Sequence, residues 1–316
     1  MSLSDCKPGQ QSTECNSVDF YGMLKSLQKS SIRVHYAENF TGECATGSSK
    51  IGGKPDLPVG FQWYYYHGKS DARFNSALPL SFLAQINLEE ASEYDRDKLL
   101  PPKGMLYFFY ELDTKTWGFI GDKGSARVYY YSGNVSELRR MGFPSDLNDE
   151  FKIPEMPITF SNKMEIPDYE EFLEWRKEYP EEDVTDYTRY FDLYAEARAK
   201  AGIESEYYTG EEARINKLLG YADLVQSGML LQCEAATKGV ELYSDWGGYS
   251  EKLSKDRLRQ LKEGCTKWRL LFQLESILTE DYEMLWGDAG RIYYYINIDD
   301  LNKRNFDNCW LILQCG

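Results

Sequence analysis

Alternation of apolar and polar residues marks the strands of this chain. Phe82, Ala84 and Ile86 alternate with Leu83, Gln85 and Asn87; further on, Leu270, Phe272 and Leu274 alternate with Leu271, Gln273 and Glu275. A period of two predicts strands with one apolar and one polar-edged face, in the same phase at both places. Aromatic-rich runs at 61–66, 105–112 and 127–131 predict further strands, with 80–88 among them, and Trp310-Leu311-Ile312-Leu313 reads as an interior strand. Tyr187, Tyr190, Phe191 and Tyr194 follow i, i+3, i+4, i+7 instead, which predicts a helix with Asp186, Asp192 and Glu196 on its wet face. Asp168 and Glu171 have capping-box spacing for a helix carrying Phe172 and Leu173. Another helix is expected over 253–261. Residues 1–16 read as a polar arm, followed by a modest helical stripe at Val18, Tyr21, Met23, Leu24 and Leu27.

The second half of the chain repeats the first. Lys50-Ile51-Gly52-Gly53, Leu83-Ala84-Gln85-Ile86 and Gly104-Met105-Leu106-Tyr107 recur in order as Lys217-Leu218-Leu219-Gly220, Leu271-Phe272-Gln273-Leu274 and Gly290-Arg291-Ile292-Tyr293. From glutamine to glycine the spacing is 19 residues in the first copy and 17 in the second. In this register 126–131 answers 309–314, the last strand of each half. A one-strand shift, aligning Trp117-Gly118 with Trp286-Gly287, matches one anchor where the first register matches three. The expected architecture is α+β: two related sheet-containing halves (an internal duplication) with an acidic helical insertion between them. Its segments are an N-terminal arm and helix (1–49), a first half (50–150), the insertion (151–215) and a second half (216–316). Paired units of this kind leave a cleft at their junction, the default place for a ligand.

Charge is unevenly spread. The chain of 316 residues carries a net charge of −15, and 165–214 holds sixteen acidic against six basic residues, so two thirds of the excess lies in about one sixth of the length. Such a face repels nucleic acid and anionic membranes and attracts a basic protein. No apolar run approaches the ~20 residues needed to span a bilayer. Seven cysteines without a close-paired motif point to a reducing compartment, hence the cytoplasm, and two histidines give a metal site little to be built from. No cofactor is expected.

Candidate chemistry is sparse. Gly42 and Gly47 have P-loop spacing, but Ser48 stands where the phosphate-binding lysine is required. Gln85 and Gln273, amides among apolar neighbours at equivalent positions, could hold a ligand from both sides of a pseudo-axis, with Glu275 as the charge on that face. Structural hydrogen bonds to loop backbone are the commoner use of such amides. Trp286-Gly287-Asp288-Ala289-Gly290 could project Asp288 beside a stacking Trp286, or simply form an Asx turn. The three tyrosine runs cannot make continuous platforms, because alternate tyrosines on a strand face opposite ways.

The first glycine-proline segment, the Phe82-Leu83-Ala84-Gln85-Ile86 strand, the Trp286-Gly287-Asp288-Ala289-Gly290 turn and the terminus from Trp310 to Gly316 resemble the YwqG-like family of uncharacterised bacterial proteins. The similarity runs from about Lys50 to the end. The resemblance implies a bacterial, cytoplasmic, α+β protein with an internal duplication, and transfers no activity or catalytic residue. Relatives suspected of belonging to toxin and immunity loci tilt the expectation toward binding. The function expected is therefore uncharacterised cytoplasmic binding, with Glu170, Glu171, Glu174, Glu178, Glu181 and Glu182 masking a basic protein partner in the manner of an immunity or adaptor protein. The alternative is a small-ligand binder or enzyme using the cleft between halves through Gln85, Gln273, Glu275, Trp286 and Asp288. Whether any reaction is catalysed, and the oligomeric state, are left open by the sequence.

Overall fold

The computed structural model describes residues 22, 24–68, 77–176, 191–192, 194–196, 198–200, 215–242, 250 and 252–316. Among these, ten strands form one antiparallel sheet: β1 (Lys29–Tyr36), β2 (Lys50–Ile51), β3 (Ser81–Asn87), β4 (Met105–Tyr110), β5 (Ala126–Tyr131), β6 (Met156–Glu165), β7 (Asn216–Leu219), β8 (Trp268–Glu275), β9 (Arg291–Asn297) and β10 (Trp310–Gln314). Their order is β10-β9-β8-β7-β1-β6-β2-β3-β4-β5. From the centre outward both flanks run alike, with β7 to β10 on one side and β2 to β5 on the other. The two central strands are exchanged: β1 pairs with β7, β6 pairs with β2, and β1 and β6 run antiparallel from Lys29↔Glu165 to Tyr36↔Ile158.

The sheet curls until its edges nearly meet. Phe108 of β4 packs on Phe272 of β8 at 4.5 Å and on Tyr294 of β9 at 5.1 Å between ring centroids. β4 and β8 stand six places apart in the order, which in a flat sheet at ~4.8 Å per strand would separate them by roughly 29 Å. Ile32, Val34, Ile86, Phe108, Phe272, Leu274, Tyr294 and Leu313 belong to the core that fills the inside of the curl. Outside, α3 (Leu230–Thr237) and α4 (Lys255–Cys265) cover Leu270, Tyr293, Tyr295 and Ile312 on one flank. On the other flank Leu57, Tyr66 and Leu80 cover Phe82, Tyr107 and Phe109. Burial on both faces is why β4 and β9 read as nearly unbroken apolar runs. The run Tyr293-Tyr294-Tyr295 divides as strand geometry requires: Tyr294 points inside, its neighbours outside under the helices.

The edge strands β5 and β10 do not pair with each other; the connection from β4 to β5 lies between them. Leu313 N donates to Trp117 O at 3.4 Å, and Trp310 Nε1 donates to Gly118 O at 2.9 Å. Gly118 has φ +88°, and a Cβ there would stand 2.2 Å from Leu311 O, so only glycine lets the connection lie this close to the edge. Covering an edge in this way removes a template for intermolecular pairing.

Two segments differ from expectation. Residues 1–49, read as arm and helix, contain β1, and 151–215, read as a helical insertion, begins with β6 at the centre of the sheet. Pro157 pairs with Lys50 at the start of β6, where a missing N–H is tolerated. Helix resumes only with α2 (Tyr169–Arg176). Two further helices are short: α1 (Leu88–Ser92), capped by Asn87, and α5 (Ile298–Asn302), capped by Asn297. No helix among the described residues is long and apolar enough to cross a membrane.

Candidate functional site

The two repeated lysines and glutamines form two matching polar clusters. Gln85 accepts from Asp56 N at 2.8 Å and donates to Ser48 O and Asp56 Oδ2, each at 2.8 Å. Gln273 accepts from Asp223 N at 2.9 Å and donates to Ile215 O and Asp223 Oδ2, again at 2.8 Å. Beside them, buried Lys50 reaches Glu155 at 2.6 Å and Lys54 O at 2.7 Å, while buried Lys217 reaches Asp223 at 2.6 Å and Glu165 at 3.0 Å. The two glutamates bracket β6, one to each cluster. Guanidinium groups complete both: Arg140 to Asp56 at 3.0 Å and Arg33 to Glu165 at 2.9 Å. Burial alone would raise the Asp56 carboxyl, but hydrogen bonds from Arg140, Gly47 N and Gln85, with the charge of Lys50, hold it below the ordinary range. Asp223 is likewise lowered, burial being outweighed by Lys217 and Arg33. Both amides are fully engaged in tying a turn to a strand.

Of the remaining residues expected at a ligand site, Glu275 stands beside the Gln273 cluster, and Trp286 and Asp288 lie on the turn before β9. Glu275 pairs with Arg291, which also donates to Asp223 O at 3.0 Å. Trp286 is fully buried with its ring 6.1 Å from Tyr110, and its indole nitrogen has no hydrogen-bond partner among the described residues. Asp288 is exposed on the turn closed by Gly290 N donating to Trp286 O at 2.8 Å.

A cavity of about 290 Å³ lies instead at the seam, where the edges of the sheet approach. One wall comes from the β4–β5 connection and the start of β5, with Asp122, Lys123 and Arg127; the other comes from the end of α3, from α5 and from the turn before β10, with Lys238, Asp300 and Asp307. Trp268 and Trp310 also line it, and their indole N–H groups are spent on Glu234 Oε2 at 2.9 Å and Gly118 O.

The charges around this cavity are only partly matched. Glu234 pairs with Lys238 one turn on. Asp122 accepts from Gly118 N at 2.9 Å and Phe119 N at 2.8 Å, and burial, outweighing these bonds, pushes its carboxyl up. Asp300 accepts from the amides of Asn305 at 2.9 Å and Asn308 at 3.2 Å, and no cation pairs with it among the described residues. Arg127, half-buried, makes no ion pair among them either. Burial pushes the Cys309 thiol well above its usual range, so this lining cysteine is a poor nucleophile. Sequence reasoning missed Arg127 and Asp300 as site residues. The signal was present in the pairing of 126–131 with 309–314, because the last strands of two halves are the edges where a curled sheet meets.

The acidic residues of α2 turn inward, whereas Asp192 and Glu196 are exposed, as the helical stripe predicts. Glu171 and Glu174 are 2% and 6% exposed, and Glu170 is half-buried. Glu171 accepts from Ala222 N at 3.3 Å and interacts electrostatically with Lys29, whose ammonium sits 3.8 Å from the Trp175 ring and 4.0 Å from the Tyr221 ring. Glu174 accepts from Leu230 N at 3.1 Å and Leu231 N at 3.0 Å, capping the start of α3. These two carboxylates dock α2 and are not offered to a partner. Glu178, Glu181 and Glu182 lie outside the described residues, as do Tyr187 and Tyr190 of the helical stripe. Tyr194 is buried against Tyr169 and Phe172, while Phe191 is exposed.

The chain belongs to the family of the domain of unknown function DUF1963, whose sequence profile matches residues 49–315. No curated protein matches it.

Proposed function

We propose that this protein binds a small polar molecule in the seam cavity, and that the cavity is the junction between two copies of one duplicated five-strand unit, β1–β5 and β6–β10. The observation that carries the reading is the unmatched charge: Arg127 and Asp300 line one cavity without an ion-pair partner among the described residues. Half-buried charges left in this state are costly unless something satisfies them. Packed side chains fill the inside of the curl, and the matching Lys-Asp-Gln-Glu clusters satisfy themselves. Duplication is supported by the equal order of strands on both flanks and by the same three hydrogen bonds at Gln85 and Gln273. The free thiols of Cys44, Cys233, Cys265, Cys309 and Cys315 fit a cytoplasmic setting. Masking of a basic protein is the weaker reading, since Glu171 and Glu174 are committed to the fold.

The test compares wild type with Thr237→Trp. Thr237 lines the cavity from the last turn of α3 and is exposed, so an indole there fills the cavity mouth without entering the core. In equilibrium dialysis against a small-molecule cell extract, wild type retains at least one compound that the variant releases. Equal retention by both proteins, or retention by neither, rejects the seam as the site.

A further inference from the structure

We infer that the ligand of the seam cavity is a small zwitterion of the amino-acid class, its carboxylate held by Arg127 and its ammonium by Asp300. This deepens the reading of the cavity as a binding site and rests on it. The unmatched charges are separated by wall. Arg127 and Lys123 stand on the wall made by the β4–β5 connection and β5, whereas Asp300 and Asp307 stand on the wall made by α5 and the turn before β10.

Opposite charges that line one cavity without pairing leave a gap to be bridged. A purely anionic ligand would satisfy Arg127 and leave Asp300 facing a second negative charge; a purely cationic one would do the reverse. A molecule carrying both charges satisfies both walls with charge-assisted hydrogen bonds. On the anionic wall Glu234 is already neutralised by Lys238, and on the cationic wall Asp122 is held by backbone N–H groups, so neither competes for the ligand. Size points the same way, because 290 Å³ lies at the bottom of the ~300–1,000 Å³ range of small-molecule sites, which suits a single amino acid better than a nucleotide. The indoles of Trp268 and Trp310, with their N–H groups spent, give the ligand's side chain an apolar surface.

The experiment measures affinity of the full chain by calorimetry for the standard L-amino acids, and for the amine and the carboxylic acid that correspond to the tightest of them. The zwitterion is expected to bind more tightly than either analogue. Arg127→Gln and Asp300→Asn are each expected to weaken it by about tenfold to a hundredfold, the worth of one hydrogen bond to a charged group. Arg127→Lys, which keeps the charge, is expected to retain part of the affinity, and thermal melting of each unliganded variant separates lost binding from lost folding. If a single-charge analogue binds as tightly as the zwitterion and Thr237→Trp blocks it, the zwitterion inference is overturned and the cavity reading stands. If no amino acid binds while wild type retains another compound that Thr237→Trp releases, the inference is again overturned alone. If neither amino acids nor extract compounds are held, both readings fall.

Discussion

Lys217→Met is expected to lower the unfolding free energy by about 3–5 kcal/mol, the cost of breaking a buried ion pair from one side. Lys217 is 1% exposed and holds two carboxylates, Asp223 and Glu165, at 2.6 and 3.0 Å. Without it, Arg33 still faces Glu165, but among the described residues Asp223 keeps only the Gln273 amide as a close side-chain partner. Lys50→Met should behave alike, because Glu155 and Asp56 surround Lys50 in the same way. Lys267→Met is the control: its pair with Asp299 at 2.8 Å is more than half exposed on both sides, and solvent screening means that its loss should leave stability nearly unchanged. Urea denaturation at neutral pH reads all three. A loss at Lys217 no larger than that at Lys267 would mean the clusters do not hold the two flanks of the sheet to their turns.

The second large effect is on pH dependence. Burial, reinforced by neighbouring Glu171 and Glu170, pushes the Glu174 carboxyl up to about 8 from its ordinary 4.5, even against the backbone hydrogen bonds from α3. Between those values the folded chain keeps a proton that the unfolded chain has released. Stability therefore falls as pH rises, by up to about 1.4 kcal/mol per unit for this one group. Glu171, raised by burial to about 7 against the pull of Lys29, has the same sign. Lys29, lowered by burial and by Arg269 to about 7, acts oppositely and at higher pH, where the unfolded chain still holds the proton that the folded chain has lost. The depressed carboxyls of Asp56, Glu155 and Asp223 stabilise the fold above the ordinary carboxylate range, and that contribution is lost as pH falls through their folded values. The expected profile rises from acid to a maximum near pH 5 and declines toward pH 7. Glu174→Gln should flatten the decline; an unchanged slope between pH 5 and 7 in that variant would show that Glu174 is not protonated in the fold.

Much of the sheet was legible in the chain because strand signals survive burial. The alternations at Gln85 and Gln273 marked β3 and β8, and the three anchors aligned strands that stand at matching places in the order. What escaped was β1 and β6, the two exchanged central strands. Ile158, Phe160, Asn162 and Met164 mix apolar and polar residues on the core-facing side of β6, which is buried at Ile158 but exposed at Met164, so the alternation is weak. The acidic segment misled for a related reason: a glutamate run reads as a wet helix face, and nothing local reveals that Lys29 and the start of α3, distant in sequence, draw Glu171 and Glu174 inward. Site reasoning favoured conspicuous residues: the fold spends the glutamines on its own hydrogen bonds, buries Trp286 and leaves Asp288 exposed on its turn. Arg127 and Asp300 carry no local signature. They become neighbours only because the sheet curls.

The most direct test of the seam cavity is the indole N–H spectrum of the protein as a retained small molecule is added. Trp268 and Trp310 line the cavity, whereas Trp63 packs against Phe109 on the far flank and Trp175 against Tyr221 by Lys29. The account predicts saturable shifts of the Trp268 and Trp310 resonances with Trp63 and Trp175 unmoved. Binding that shifts Trp63 or Trp175 and leaves the cavity pair in place would contradict it.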